Sequence, residues 1–246
     1  MDDSRQFQDE VSQNIKLQGK DTDLREASIN WINETGKYKY SHNFTWMGLP
    51  IIQLPQDIIA MQELIWEVKP DLIIETGIAR GGSVIFYASM LELLGNGGKV
   101  IGVDVDIRKH NRDAIEQHPM YKNIILIEGD STSEDVLNLV KGHIDANQSK
   151  KILVTLDSNH THEHVLEELG LYSPFVSEGS YIVVFDTIVE DMPQGYFPDR
   201  PWDKGDNPKT AVYEFIAENN NFIIDDEINS KLLISVAPDG YLKRVR

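Results

Sequence analysis

The alternation of short apolar runs with longer amphipathic stretches between residues 72 and 185 constrains the fold of this chain most strongly. The runs are too short for helices and largely lack the polar alternation of half-exposed strands, which is typical of strands buried on both faces of a parallel sheet. Right-handed crossovers would place the intervening helices on the two faces of that sheet. The predicted strands are residues 72–74, 100–103, 124–127, 152–156 and 181–185, and the predicted helices are residues 84–94, 108–117, 133–140 and 165–175.

The C-terminal part of the chain departs from this alternation. Asn207 followed by Pro208 predicts a helix start, because asparagine caps helices well and proline suits the first helical position. The apolar runs at 222–225 and 232–236 are too close together for a helical crossover, so we expect them to pair antiparallel at the sheet edge. The sequence therefore predicts an α/β fold with a Rossmann-like, doubly wound, seven-stranded sheet whose last strand is antiparallel. This is the pattern of class I methyltransferases.

Residues 1–55 differ from the rest in composition, since they are polar with scattered aromatic side chains. We expect them to form an N-terminal helical arm or cap that packs on the domain or on a neighbouring subunit. Apolar residues at helical spacing begin after Pro55 and stop at Pro70. The sequence thus predicts an arm over residues 1–55 and one α/β domain over residues 56–246.

Charge and cysteine content exclude several classes of protein. The chain has 246 residues and a formal net charge of −17, which argues against nucleic acid or an anionic membrane as its main partner, because both attract basic surfaces. It contains no cysteine, which excludes disulfides, thiolate nucleophiles and cysteine-ligated zinc. The N-terminus lacks a signal-peptide pattern, and no apolar run approaches the roughly 18 residues of a membrane helix. We therefore expect a cytoplasmic protein with no membrane span.

The segment IIETGIARGGS, residues 73–83, joins the first predicted strand to a glycine loop. A phosphate-binding loop would need a lysine after the last glycine, and a dinucleotide loop would need glycine where Ala79 stands. The remaining pattern suits S-adenosylmethionine. Its glycines, Gly77, Gly81 and Gly82, let the backbone approach the methionine part closely, and Glu75 can accept a hydrogen bond from the ammonium group.

Acidic residues also end the second and third predicted strands. Asp104 is placed to accept hydrogen bonds from the two ribose hydroxyls, and Asp130 and Ser131 are placed beside the adenine. Taken singly, the glycines fit a tight turn and Asp104 fits a helix cap equally well. Acids that end three successive strands around one glycine loop favour a bound adenosyl cofactor.

Two further aspartates end the fourth and fifth predicted strands. Asp157 and Asp186 would meet at the carboxyl edge of neighbouring strands, where open α/β sheets bind ligands. Two converging carboxylates predict a site for Mg²⁺ or another divalent cation, which accepts one or two carboxylates and completes its shell with water or substrate oxygens. Such an ion would help to fix and deprotonate an acceptor hydroxyl.

Three histidines follow Asp157 in the segment LDSNHTHEH. We expect the next helix to begin near Thr161, which leaves His160 in the strand-end loop as the candidate general base, since an unperturbed imidazole titrates near pH 6.5. A solvated loop histidine is nearly as good an interpretation of His160. For His162 and His164 we favour the solvated interpretation.

The segment 190–208, which contains DMPQGYFPDRPWDKGDNP, is long for a connection and rich in proline and aromatic residues. We interpret it as a lid loop over the substrate, and aromatic faces beside polar groups suit a sugar ring. A structural or subunit-contact loop fits almost as well. The candidate substrate residues are Tyr196, Phe197, Arg200 and Trp202.

Five segments in this order resemble the cephalosporin hydroxylase/rhamnosyl O-methyltransferase family from about residue 40 onward. They are FTWMGLPIIQLPQD, IIETGIARGGS, VIGVDVDIR, LDSNHTHEHV and FPDRPWDKGDNPKTAV. The resemblance implies a class I methyltransferase fold, S-adenosylmethionine at the glycine loop, a divalent ion near the fourth and fifth strands, and a homo-oligomer. It carries cofactor roles to Glu75, Gly77, Ser83, Asp104 and Asp130, and metal roles to Asp157 and Asp186.

The chain departs from the family pattern at one position. The fifth strand of the family typically ends in Glu-Asp, and here the pair is Phe185-Asp186. Phenylalanine cannot ligate a metal, so a cage of three carboxylates is excluded. Either two aspartates suffice with water, substrate and the help of His160, or the metal is weak or absent.

The resulting hypothesis is an enzyme, a magnesium- and S-adenosylmethionine-dependent O-methyltransferase that acts on a sugar hydroxyl in glycan, glycolipid or natural-product assembly. Asp157 and Asp186 would hold the metal, and His160 would be the base. A non-catalytic S-adenosylmethionine-binding subunit of a partner enzyme is the alternative that Phe185 favours. A nicotinamide-dependent oxidoreductase is disfavoured by Ala79.

Overall fold

The computed structural model describes residues 2–246 as a central sheet with helices on both faces. The strands are β1 Phe44–Trp46, β2 Leu49–Ile51, β3 Leu72–Thr76, β4 Lys99–Asp104, β5 Ile124–Glu128, β6 Ile152–Leu156, β7 Tyr181–Val184, β8 Phe222–Ile224 and β9 Tyr241–Arg244. The α-helices are α1 Asp3–Gln18, α2 Thr22–Gly36, α3 Pro55–Val68, α4 Gly82–Leu94, α5 Lys109–Glu116, α6 Glu134–Asn147, α7 His162–Tyr172, α8 Pro208–Glu218 and α9 Asp226–Leu232. Short 3-10 helices lie at Tyr40–Asn43, Pro119–Asn123, Ser173–Phe175 and Thr187–Asp191.

The main sheet has seven strands in the spatial order β5-β4-β3-β6-β7-β9-β8. Strands β3 to β7 pair in parallel, and β9 lies antiparallel between β7 and β8. Every residue of β3 and β6 is buried, as expected for strands covered by helices on both faces. The predicted doubly wound α/β sheet with an antiparallel last strand is confirmed.

The predicted strand at 232–236 is wrong. Residues 226–232 form α9, which Asp225 caps by accepting hydrogen bonds from the Glu227 and Ile228 amides. The last strand is β9, which begins at Tyr241 after a turn. A short apolar run does not by itself distinguish a strand from the buried side of a helix and the loop after it.

A buried carboxylate explains where that apolar run goes. Asp57 on α3 is fully buried and accepts hydrogen bonds from Ser235 Oγ at 2.6 Å, Val236 N at 2.9 Å and Tyr241 Oη at 2.9 Å. Burial raises the pKa of Asp57 to about 6, although these three donors oppose the shift. Asp57 therefore joins α3 to the loop after α9 and to β9.

We expect Asp57→Ala to lower the free energy of unfolding by about 3 kcal/mol, because three buried donors lose their acceptor at once. Urea denaturation measured by circular dichroism would test this. Asp9→Ala, which removes an exposed carboxylate from α1, serves as the matched control. Equal denaturation midpoints for the two variants would contradict the role assigned to Asp57.

The first 55 residues, where a helical arm was predicted, contain the helices α1 and α2 and one element that was not predicted, the antiparallel hairpin β1–β2. The hairpin packs on α4, where Trp46 Nε1 donates to Ser89 Oγ at 3.0 Å. Helix α1 has no buried residue and contacts the domain at its C-terminal end, where Gln18 Nε2 donates to the Ser230 carbonyl at 2.8 Å. Among residues 2–246, no helix is both long and apolar enough to cross a membrane.

Candidate cofactor and metal site

The glycine loop between β3 and α4 places a buried carboxylate at the sheet edge. Glu75 is fully buried, and its Oε2 accepts a hydrogen bond from Ser83 Oγ at 2.9 Å. Its Oε1 is buried without a hydrogen-bond partner among residues 2–246. An acceptor left unpaired in this way costs free energy, and an ammonium donor would satisfy it. Glu75 and Ser83 thus fit the amino group of S-adenosylmethionine.

Two glycines of the loop are required by close backbone contacts. A Cβ atom at Gly77 would lie 2.1 Å from the Asp157 carbonyl oxygen, and Gly77 has a φ of +81°. A Cβ atom at Gly82 would lie 2.2 Å from the Pro50 carbonyl oxygen. The loop is therefore pressed between the end of β6 and the hairpin. Gly81, with a φ of +84°, is the N-cap residue immediately before α4.

Burial is the main influence on the ionisation of Glu75. It raises the pKa of Glu75 to about 8, with the hydrogen bond from Ser83 opposing the shift and the charge of Asp104 adding to it. In the absence of a cationic partner the carboxyl group is therefore protonated at neutral pH. A bound ammonium group would reverse this by favouring the charged form.

Asp104, at the end of β4, braces the glycine loop. Its Oδ2 accepts hydrogen bonds from the Ile78 and Ala79 amides at 3.0 and 3.2 Å, and its Oδ1 accepts from the Asp106 amide at 3.1 Å. The Asp104 side chain is half-buried. Its predicted contact with ribose stays a prediction.

The end of β5 carries the two residues predicted to lie near adenine. Asp130 is exposed, and its Oδ1 accepts from the Thr132 amide and hydroxyl, both at 2.9 Å, which lowers the pKa of Asp130. Ser131 is buried, with its Oγ 3.3 Å from His164 Nε2. Both lie at the carboxyl edge of the sheet beside β4, and their contact with adenine stays a prediction.

The interpretation of His162 and His164 as solvated residues is wrong. Helix α7 begins at His162, and both rings are half-buried with partners. His164 Nε2 lies 3.1 Å from Ser158 Oγ and 3.5 Å from the fully buried Glu168, which raises the pKa of His164. His162 Nδ1 lies 2.8 Å from Thr210 Oγ1 on α8. The Thr210 contact joins α7 to a distant segment, so the sequence around His162 does not reveal it, whereas Ser158 and Glu168 are near His164 in the sequence.

Asp157, His160 and Asp186 converge at the ends of β6 and β7. One ligand atom from each can be chosen so that the three atoms lie within 4.8 Å of one another, and all three residues are half-buried. His160 Nε2 lies 3.0 Å from Asp186 Oδ2. Two carboxylates and an imidazole are donors that divalent cations accept in proteins. His160 thus lies where it could ligate the ion, as well as where a base is needed.

The two carboxylates of this cluster differ in their ionisation. Burial and the charges of Asp186 and Glu75 raise the pKa of Asp157 well above its usual range. Burial would also raise the pKa of Asp186, but the neighbouring His160 imidazole outweighs it and holds that pKa below its usual value. Ionisation of Asp157 is therefore unfavourable in the cation-free cluster, and a bound cation would favour its charged form.

The backbone at the end of β7 separates Phe185 from Asp186. Phe185 is buried in the core, whereas Asp186 has a φ of 54° and starts the short helix Thr187–Asp191. A non-glycine residue in this conformation is strained, and such strain is often found at functional sites. The loss of the family acid at 185 thus leaves an apolar contact, and His160 occupies the third corner of the cluster.

The lid segment lies against the cluster through one aromatic residue. The Trp202 ring centroid is 4.6 Å from that of His160, and Arg200 Cζ lies 5.2 Å from the Trp202 ring centroid. Tyr196 instead packs with Phe197 and donates from its hydroxyl to the Asn33 carbonyl on α2 at 3.2 Å. Trp202 and Arg200 are therefore beside the cluster, whereas Tyr196 ties the lid to the arm.

Internal hydrogen bonds brace the lid. Asp203 accepts from the Gly195 amide and from Gln194 Nε2. Glu190 Oε2 accepts from the Gly205 amide at 2.8 Å and from Asn207 Nδ2 at 2.6 Å. These contacts fix the segment as a folded loop.

Buried polar side chains behind the glycine loop were not predicted as part of the site. Gln53, Thr76 and Tyr87 are almost fully buried, and their side-chain polar atoms have no hydrogen-bond partner among residues 2–246. Burial and the charges of Glu75 and Asp157 raise the pKa of Tyr87. The sequence feature that could have indicated these residues is Gln53 in IIQLPQD, since a glutamine between apolar residues suggests a buried polar group.

Comparison with known proteins identifies relatives across most of the chain. The family described as Rhamnosyl O-methyltransferase/CmcI matches residues 38–245. The rhamnosyl O-methyltransferase of Mycobacterium tuberculosis (strain ATCC 25618 / H37Rv) is 28% identical over 204 residues, which cover 81% of this chain and 78% of the relative. That of Mycobacterium leprae (strain TN) is 32% identical over 149 residues, which cover 61% of this chain and 62% of the relative.

Solved structures confirm the fold. A CmcI structure with Mg and S-adenosylmethionine aligns with a TM-score of 0.59 at 19% identity, over 83% of this chain and 78% of that chain. An O-methyltransferase from Bacillus cereus, in complex with S-adenosylhomocysteine, aligns with a TM-score of 0.53 at 18% identity, over 83% of this chain and 82% of that chain. The match over residues 38–245 shows that this chain belongs to the Rhamnosyl O-methyltransferase/CmcI family.

Proposed function

We propose that this protein transfers the methyl group of S-adenosylmethionine to a hydroxyl of a sugar, with Mg²⁺ or another divalent cation held by Asp157 and Asp186. By its family the chain is an S-adenosylmethionine-dependent O-methyltransferase. The observation that carries the proposal is the juxtaposition of two groups at one sheet edge. The buried Glu75 and its glycine loop adjoin Asp157, and Asp157 adjoins His160 and Asp186.

The residues around the glycine loop would bind the amino-acid part of the cofactor. Glu75 Oε1 is the free acceptor for the ammonium group, and Ser83 fixes the other carboxylate oxygen. The first amides of α4, at the end of the glycine loop, would suit the cofactor carboxylate. Asp104 and Asp130, at the ends of the next two strands, would contact the adenosine part.

The residues at the ends of β6 and β7 would prepare the acceptor hydroxyl. A bound divalent cation supplies a positive charge that fixes an oxygen ligand and lowers its pKa. With Asp186 accepting from Nε2–H of His160, the Nδ1 atom is the ring nitrogen left to accept the hydroxyl proton. The oxygen lone pair then forms the new bond to the methyl carbon as the sulfur–carbon bond breaks. S-adenosylhomocysteine and a methyl ether result.

The sugar class of the acceptor is supported by the lid and by the relatives. Trp202 presents a ring beside His160, and Arg200 lies over that ring, which suits an apolar sugar face with polar edges. The curated relatives are named rhamnosyl O-methyltransferases. We therefore place the reaction in glycan, glycolipid or natural-product assembly.

Trp202→Ala should raise the KM for a sugar acceptor about fivefold with a smaller change in kcat, because an aromatic contact of this kind contributes about 1 kcal/mol. Steady-state kinetics at saturating S-adenosylmethionine would measure both constants. Trp66→Ala provides the control, since Trp66 on α3 is 60% exposed. An unchanged KM for Trp202→Ala would show that Trp202 of the lid does not contribute to acceptor binding.

The central experiment is a methyl-transfer assay with a panel of methyl glycosides. Formation of S-adenosylhomocysteine that depends on both a glycoside and a divalent cation would support the proposal. Cofactor binding without turnover across a broad panel would instead favour a non-catalytic subunit. A matched assay with nicotinamide cofactors tests the oxidoreductase alternative.

We further propose that the protein is a homo-oligomer. Helix α1 exposes Phe7, Val11 and Leu17 and buries none of its residues within the chain, which supports contact with a second copy. Light scattering of the full chain would give its mass, and a Phe7→Asp/Val11→Asp variant should dissociate. A monomeric wild-type protein would refute this.

A further inference from the structure

A stripe of polar side chains runs along one face of α7. His164, Glu168 and Tyr172 are spaced four residues apart, so they lie one above another on the same face of the helix. Glu168 and Tyr172 are fully buried, and His164 is half-buried. This polar stripe contacts the loops after β5 and β6, where Ser131 and Ser158 follow the strands.

His164 contacts one serine from each of these two strand ends. Its Nε2 atom lies 3.1 Å from Ser158 Oγ and 3.3 Å from Ser131 Oγ. Tyr172 Oη donates to the Ser131 carbonyl at 2.8 Å, so α7 holds both the side chain and the backbone of Ser131. The loop after β5 is therefore joined to the loop after β6 through α7.

The contacts of Glu168 determine which atoms of this network donate. Ser158 Oγ donates its one hydrogen to Glu168 Oε1 at 2.8 Å. Ser158 Oγ can therefore only accept from His164, whose Nε2 atom must carry a hydrogen. Since a protonated Nε2 cannot accept, His164 does not use the hydroxyl hydrogen of Ser131. That hydrogen is available for donation to another group.

Folding alone does not explain the polar stripe. A buried carboxylate costs free energy even when it is paired, and apolar side chains of similar size in its place are often neutral or stabilising. Glu168 Oε2 is also buried without a hydrogen-bond partner among residues 2–246. A catalytic triad is excluded, because Ser158 and Glu168 contact the same ring nitrogen of His164, whereas a triad uses both ring nitrogens. The role that fits these contacts is to position the groups at the strand ends.

We propose that His164, supported by Glu168, is a positioning residue for the adenosyl cofactor and holds Ser131 as a hydrogen-bond donor to a ring nitrogen of adenine. This inference rests on the proposed function and adds a donor, with its support, to the cofactor site. Ser131 follows Asp130 at the carboxyl edge of the sheet, where the adenosine part would lie. Adenine offers N1, N3 and N7 as acceptors for such a bond.

The test is isothermal calorimetry of the full-length protein with S-adenosylhomocysteine and its 1-deaza, 3-deaza and 7-deaza analogues. Each analogue replaces one ring nitrogen of adenine by a C–H group and so removes one acceptor. A role of His164 in stability alone would leave the relative affinities of the four ligands unchanged. Loss of a donor to adenine would change the affinity ratio for one analogue.

Four variants separate the donor from its support. Ser131→Ala removes the donor, and His164→Leu/Glu168→Leu removes the support without leaving a buried charge unpaired. His164→Asn keeps Glu168 but shortens the side chain, so its amide does not reach the position of Nε2. His164→Gln keeps an N–H group near that position. The matched control is His110→Gln, since His110 is exposed on α5, and thermal unfolding verifies the folding of each variant.

We expect wild type to bind one deaza analogue about fivefold more weakly than S-adenosylhomocysteine, which corresponds to about 1 kcal/mol. This deficit should disappear in Ser131→Ala, in His164→Asn and in His164→Leu/Glu168→Leu. It should persist in His164→Gln and in His110→Gln. The analogue that shows the deficit identifies the nitrogen that Ser131 contacts.

Equal affinity of wild type for all four ligands would overturn the inference, and so would a deficit that survives in Ser131→Ala. A deficit lost in Ser131→Ala but kept in His164→Asn would refute the positioning role of His164. Absence of any binding would overturn both this inference and the cofactor site. The expected deaza pattern without methyl transfer to any glycoside would refute the transfer alone and leave the role of His164 standing.

Discussion

Asp157→Asn should reduce methyl transfer at least 100-fold, about 2.7 kcal/mol in activation free energy, and should abolish the dependence of the residual rate on Mg²⁺. The substitution keeps the shape of the side chain but removes one of the two carboxylates that converge with His160. A cation held by two carboxylates loses both charge and a ligand when one becomes an amide. The measurement is S-adenosylhomocysteine formation over a Mg²⁺ titration, with S-adenosylmethionine and acceptor saturating.

The same variant should bind S-adenosylhomocysteine within about threefold of wild type, since Gly77 of the glycine loop lies against the backbone carbonyl of Asp157, which the substitution keeps. Asp135→Asn, which alters an exposed carboxylate in the first turn of α6, is the matched control. Full activity in Asp157→Asn would show that Asp157 is not a required metal ligand. A parallel loss of cofactor affinity would mean instead that the loop had been disturbed.

The framework of the site could be predicted because it follows from local patterns. Short apolar runs fixed the five parallel strands, and the residues that follow a parallel strand must lie at the same sheet edge. Glu75, Asp157 and Asp186 were found in this way, and the start of α7 at His162 confirms that His160 lies in the loop. Such inferences need only the spacing of the apolar residues and the position of a residue relative to the end of a strand.

The parts that could not be predicted depend on contacts between distant segments. Gln53 and Tyr87 are buried in a structure where the hairpin packs on α4. In the sequence Asp57 looks like an ordinary acidic residue in the first turn of a helix. Its burial results from contacts with β9 and with the loop after α9. The run at 232–236 was misassigned for the same reason, since its apolar residues pack on α3 and the core without joining the sheet.

Glu75→Gln should have opposite effects on stability and on cofactor binding. The folded-state pKa of Glu75 is about 8, above its ordinary value of 4.5, because the carboxyl group is buried. When the pKa of a group is higher in the folded state than in the unfolded state, its contribution to stability is fully present below the unfolded-state pKa. That contribution is lost as the pH rises through the folded-state pKa. The cofactor-free wild type should therefore lose stability between about pH 5 and pH 8 relative to the neutral glutamine variant.

The expected difference is on the order of 3 kcal/mol in favour of Glu75→Gln at pH 8.5, and close to zero at pH 5. Chemical denaturation of both cofactor-free proteins over this range would measure it, and other titrating groups cancel in the comparison. Glu178→Gln, on the surface, should show no such trend. Parallel pH profiles for wild type and Glu75→Gln would show that the carboxyl group is not protonated in the folded chain.

Cofactor binding should change in the reverse direction. Oε1 of Glu75 is the buried acceptor without a partner, and an amide at this position offers no charge to the ammonium group. We expect the affinity for S-adenosylhomocysteine to fall at least 30-fold, about 2 kcal/mol, in Glu75→Gln. In wild type the affinity should rise with pH between 5 and 8, and calorimetry in buffers of different ionisation enthalpy should detect the proton released on binding. If Glu75→Gln has the same affinity and the same proton release as wild type, Glu75 does not bind the amino group. Cofactor binding would then not explain why this acid is buried.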